Sequence, residues 1–174
     1  MGENTAPVPA PRSSSPTRAP LNEYELRATA CWLAEADPRP GKVWAEWEKH
    51  GVALLPLGRR FDAIRVAADC VHDAVGSDAP HTVATALETW LDGPVIRDLR
   101  SSSGPYYVLA APGADWDGPA ERLTTGTYLG VPRPGHATVL SRWVVLPQHP
   151  GALCDSRYVR ALLTTATPLR TVGR

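Results

Sequence analysis

The chain has 174 residues, 18 Lys+Arg against 18 Asp+Glu, and 43% hydrophobic residues. That length holds one domain with tails, and the apolar fraction excludes wholesale disorder. Zero net charge excludes a global field that would draw the chain onto DNA or a membrane, so any nucleic-acid contact has to be a local patch.

Residues 1–20, MGENTAPVPAPRSSSPTRAP, hold Val8 as their one large apolar side chain apart from the initiator Met. Such a segment cannot bury enough area to offset its ordering entropy, and a disordered tail is expected. Order is expected over 21–164. Asn22, followed three residues later by Glu25, has the capping-box pattern, and Leu26, Ala30 and Leu33 follow the stripe of a buried helix face. Asp37-Pro38 ends that helix. KVWAEWEKHG reads as a second helix with Val43, Trp44 and Trp47 inward and Gly51 as its C-terminal cap.

The period then changes. VALLPL (52–57) is short, apolar and bounded by glycines, which reads as a buried strand, and FDAIRV (61–66) reads as the next. Helices are expected over 67–76 and 82–91, the second with Val83, Leu87, Trp90 and Leu91 on one face and Gly93-Pro94 as its stop. PVIRDL (94–99) and YYVLAA (106–111) read as a hairpin joined by the SSSGP loop. Within it Tyr107, by alternation, turns into the core on the face opposite Tyr106. After a loop around Trp116 come strands at 126–132 and 142–147. A final helix, capped by Asp155 or Ser156, sets Tyr158 and Leu162 on one face, and a flexible tail is expected from 165. This order predicts an α+β fold: a single domain with a mixed or mostly antiparallel sheet and flanking helices.

Chemical motifs are sparse. GxxxxGK[ST], GxGxxG and GxSxG are missing, and the five histidines share no HxH or HxxxH spacing. His72-Asp73 reads as a solvated pair. Cys31, Cys70 and Cys154 are widely separated, which favours structural thiols in a reducing compartment. The N-terminus has no apolar h-region and no apolar run approaches the roughly 18 residues of a membrane span. A cytoplasmic protein with no membrane partner is therefore expected. The arginines form no run. If the sheet gathers several of them, the serine loop's hydroxyls and N–H groups can complete a small anion cradle.

The run SSSGPYYVLAAPG … GTYLGVPRPGHATVLSRWVVLP resembles the N-terminal domain of bifunctional DNA primase/polymerases of the archaeo-eukaryotic primase superfamily. The matching pieces are Gly104 to Ala110, Gly126 to Pro134, and Arg142-Trp143 to Pro147, with ALLPLGRRFDAIRVAAD and GPVIRDLRSSSG upstream. Those upstream pieces look like the shortened versions of this domain found in actinobacterial proteins. The resemblance implies a strand ending in Asp-x-Asp for two divalent metals, and a histidine at the nucleotide phosphates. Here Arg65 and Ala67 fall at the carboxylate positions and Tyr106 at the histidine. Two-metal phosphoryl transfer needs carboxylates to hold the cations, and an arginine repels them. The resemblance thus implies an inactive primase/polymerase-like domain associated with a nucleotide or single-stranded nucleic acid. Its candidate contacts are Arg65, Arg97, Arg100, Ser101, Ser102, Ser103, Tyr106 and Arg142, with no cofactor. Two other readings stay open. One is a protein-interaction or structural module, and the other a still-active nucleotidyltransferase that uses Mg²⁺ or Mn²⁺ on Asp62 and Asp98.

Overall fold

The computed structural model describes the backbone of residues 19–171 and side chains through residue 166. Residues 1–18, most of the expected disordered tail, lie outside the described residues, as do 172–174. The described chain runs α1 (Glu23–Ala34), α2 (Pro40–His50), β1 (Val52–Pro56), β2 (Asp62–Val66), α3 (Ala68–Val75), α4 (Pro80–Leu91), β3 (Val95–Asp98), β4 (Tyr106–Ala110), β5 (Glu121–Leu123), β6 (Tyr128–Pro132), β7 (Ser141–Val145) and α5 (Ser156–Thr171).

The fold is α+β. Five strands form one sheet in the order β5-β2-β4-β3-β7, and β1 and β6 form a separate two-stranded ribbon. Every strand pair is antiparallel, and one isolated parallel bridge joins Ala110 to Cys154. The expected hairpin is present, with Ile96 opposite Tyr107 and Arg97 opposite Tyr106. The five-stranded sheet is the middle layer. Ile64, Val66, Val95, Tyr106 and Val108 face α3, α4 and α5 in one core. Ala63, Ile96 and Leu109 face a second core built with α1, α2 and the inner side of the ribbon.

Local chemistry explains most boundaries. The Asn22 side chain accepts the Glu25 amide at 2.9 Å, and the Glu25 carboxylate accepts the Asn22 amide at 2.9 Å, which closes the capping box. Gly51 caps α2 in the left-handed conformation, and Trp47 is buried with its indole N–H donated to the Val131 carbonyl. The Asp155 carboxylate accepts the Arg157 amide and so caps α5.

Several expectations are corrected. β1 is buried on one side only, with Leu54 58% exposed, because a two-stranded ribbon covers one face. Trp90 is 44% exposed, while Val83, Leu87 and Leu91 alone carry the inward stripe of α4. The residue that ends α4 in the left-handed conformation is Asp92. Gly93 serves a different need, since a Cβ there would lie 2.5 Å from the Cys154 sulfur. The buried stripe of α5 is Val159, Leu162, Leu163 and Ala166, with Tyr158 half exposed, and the helix continues to Thr171 where a tail was expected. β5 lies where the sequence predicts a loop. It is a three-residue edge strand, too short to show a period.

Replacing Asn22 with Ala removes one half of the capping box and should cost about 1 kcal/mol of stability. Urea denaturation of Asn22→Ala against the parent chain measures this, and an unchanged midpoint would refute the role given to the cap.

Candidate functional site

The end of the sheet that carries the serine loop is where most of the singled-out residues lie. Sheet register decides their company. Val66, Tyr106, Arg97 and Arg142 occupy neighbouring positions on β2, β4, β3 and β7. They share the helix-covered face, because directly opposed residues point the same way. Arg65 is one step off this row. It sits opposite Tyr107 on β4 and Glu121 on β5, and so belongs to the ribbon-covered face.

The serine loop is tightly held. Gly104 donates its amide to the Ser101 carbonyl, and Asp98 donates its own to Pro105. A Cβ on Gly104 would fall 1.9 Å from the Asp98 carbonyl oxygen, so only glycine lets the hairpin close this way. Ser101, Ser102 and Ser103 are exposed. The Ser102 carbonyl accepts from the Arg97 guanidinium at 3.2 Å. Ser103 lines a cavity of about 540 Å³ together with Arg65, Ala67, Cys70 and Glu121, under Leu163 and Ala166 of α5.

Tyr106 is not available to a ligand. It is 1% exposed and belongs to the helix-side core. Its hydroxyl lies 2.9 Å from His72 Nε2, the two rings meet edge to face, and the Arg97 guanidinium sits 5.0 Å from its ring centre. Burial raises its phenol pKa, against the opposing pull of Arg97 and Arg142. His72 is therefore a half-buried partner of Tyr106 rather than a solvated residue. Tyr107 does turn to the opposite face, where it is half buried against the second core.

Arg97 and Arg142 stand directly opposite each other on β3 and β7. Neither forms an ion pair with a carboxylate among the described residues. The Arg97 Nε is shielded from solvent and has no hydrogen-bond partner. Arg100 has a different fate. It grips Asp98 through its own backbone amide, Nε and Nη2, at 2.7 to 3.2 Å. This grip, helped by Arg65, holds the Asp98 carboxyl below its ordinary pKa. Arg100 and Asp98 both line a second cavity of about 400 Å³, between the main sheet and the ribbon.

Asp62 and Asp98, the carboxylates of the active-enzyme reading, are each held by other groups. Asp62 is fully buried and accepts from Thr124 at 2.9 Å and from the Gly113 amide at 3.1 Å, with Arg122 at 3.7 Å. It ties the β4–β5 connection to β2. Asp98 is at the other end of its strand and bound to Arg100. Asp117, in the loop around Trp116, pairs with Arg160. Among the described residues no three His, Cys, Asp or Glu side chains gather as a metal site. Cys31, Cys70 and Cys154 are free thiols, and burial pushes the Cys154 pKa upward. No helix among the described residues is long and apolar enough to cross a membrane.

Sequence reasoning missed the roles of His72, Arg122, Thr124 and Ser141. His72, Arg122 and Thr124 become meaningful only through partners distant in the chain, and Ser141 only through the cavity it lines, none of which a local pattern announces. Comparison of the chain with family models, with curated proteins and with solved structures finds no match.

Asp62→Ala leaves Thr124 and Gly113 without their acceptor and Arg122 without its counter-charge, and should cost roughly 1–3 kcal/mol. Thermal unfolding checks this, and an unchanged melting temperature would show that the carboxylate has no such structural task. Tyr106→Phe keeps the packing, loses the bond to His72, and should cost about 1 kcal/mol by the same measurement.

Proposed function

We propose that this chain is a non-catalytic domain that binds the phosphates of a nucleotide or of single-stranded nucleic acid, at the sheet end beside the serine loop. The Arg97–Arg142 pair is the observation that carries the reading. Like charges placed directly opposite on neighbouring strands destabilise a sheet, and a shielded unpaired guanidinium N–H costs more. A phosphate between them would relieve both costs, since each guanidinium offers charge-assisted donors. Ser102 and Ser103 border the same place, one holding Arg97 and the other lining the adjoining cavity with Arg65.

The resemblance to primase/polymerase domains supports the reading from another side. Its three pieces fall largely in β4, β6 and β7 in the implied order. The positions of its metal-binding carboxylates are Arg65 and Ala67, both lining the cavity beside Ser103. The register turns the Arg65 side chain to the ribbon-covered face, so the phosphate charge is left to Arg97 and Arg142. Tyr106 drops out of the contact set because it is buried, and Arg100 because Asp98 already holds it.

Labelled dNTPs and a single-stranded oligonucleotide, titrated at low salt, test the proposal. Binding should weaken as salt rises, and Arg142→Ala should weaken it about tenfold, the worth of one charge-assisted hydrogen bond. No binding of either ligand at high protein concentration would overturn the reading and leave an interaction or structural role. Template-dependent primer synthesis with Mn²⁺ would overturn it in favour of an active enzyme.

A further inference from the structure

A separate feature lies on the opposite face of the sheet. The cavity of about 400 Å³ between the ribbon and the main sheet falls within the range of small-molecule sites, roughly 300–1,000 Å³. Its walls include Leu54, Ile96, Tyr107, Tyr128 and Leu140. Leu54, Tyr128 and Leu140 are 58%, 60% and 44% exposed, so three of the chain's exposed large apolar side chains border a single opening. An apolar cluster left open to water is the usual mark of a binding surface.

The polar groups of the cavity narrow the ligand. Asp98 and Arg100 close on each other through four hydrogen bonds, so the pair offers neither net charge nor a spare strong acceptor. A charged ligand finds no counter-charge in it. Ser141 is different. It is 7% exposed, lines this cavity opposite Asp98, and its hydroxyl has no hydrogen-bond partner. Thr138 holds its backbone from both sides, accepting the Ser141 amide at 3.1 Å and donating to the Ser141 carbonyl at 2.7 Å. Thr138 thus fixes the backbone at Ser141, and the unmet bond of the shielded hydroxyl carries a real cost.

We propose that this cavity is a site for a neutral, planar aromatic molecule bearing one N–H or O–H group, whose ring packs on Tyr107 and Tyr128 and whose donor is taken by Ser141 Oγ. The site is independent of the phosphate reading, since it shares none of the arginines assigned to phosphate.

Indole and its carbon isostere indene are suitable probes, being alike in shape and differing in the N–H. Each is titrated into ¹⁵N-labelled full-length chain, with amide shifts followed at Gly130 and Ser141. Indole should bind roughly fivefold tighter than indene, the worth of one buried hydrogen bond. Ser141→Ala should abolish that preference while both probes still bind, and Tyr128→Ala should weaken both. Tyr128 is exposed, so that variant should keep the fold, which its amide spectrum verifies. Failure of both probes to shift these amides at millimolar concentration would overturn the proposal. So would an equal affinity for the two probes in the parent chain, or an indole preference that survives Ser141→Ala.

Discussion

β4 is buried on both faces, and that constraint organises the molecule. A strand in the middle of a sheet has to hydrogen-bond on both edges, and successive side chains point to opposite sides. Tyr106, Val108 and Ala110 therefore go to the helix-side core and Leu109 to the other, with Tyr107 packed against that second core. Because β2 and β3 flank β4, the same alternation sorts their side chains too. Arg97 goes with Tyr106, and Arg65 with Tyr107. The two candidate sites follow from this sorting, one on each side of a single sheet.

The shielded polar groups divide into closed and open sets. Asp62 is closed, with Thr124, Gly113 and Arg122 around it, and the Asp98–Arg100 clamp is closed on itself. Groups of this kind hold connections in place. The open set is Thr29, on the packed face of α1, together with Arg97 and Ser141. The last two stand beside the serine loop and in the ribbon cavity respectively. A fold stable enough to tolerate such unmet bonds holds donors and acceptors ready for a ligand, which lowers the cost of ordering them on binding.

Helix ends and strand positions were legible because their signals are local. Asn22 and Glu25 are three residues apart, Gly51 follows its helix directly, and SSSGP separates two apolar runs. β5 was not legible, since three edge residues have no period. The exposure of Trp90 and Tyr158 was not legible either, because a helical stripe names a face but not the width of the neighbour that covers it. Of the candidate site, the gathering of Arg97 and Arg142 near the serine loop was conditional on how the strands paired. The resemblance sets Tyr106 at the position of a phosphate-contacting histidine, yet its face of β4 is roofed by α3 and the ring is sealed against His72.

The sequence by itself determined an α+β chain with helices first and a hairpin across SSSGP. These are matters of period, punctuation and residue type, all carried within a few neighbouring positions. Only the tertiary structure decided that β3 lies between β4 and β7, which sets Arg97 against Arg142 and Asp98 against Ser141. Those partners are more than forty residues apart in the chain. Strand order is chosen by how two layers of helices and a ribbon can cover both faces of one sheet, a sum over the whole core that no short stretch contains.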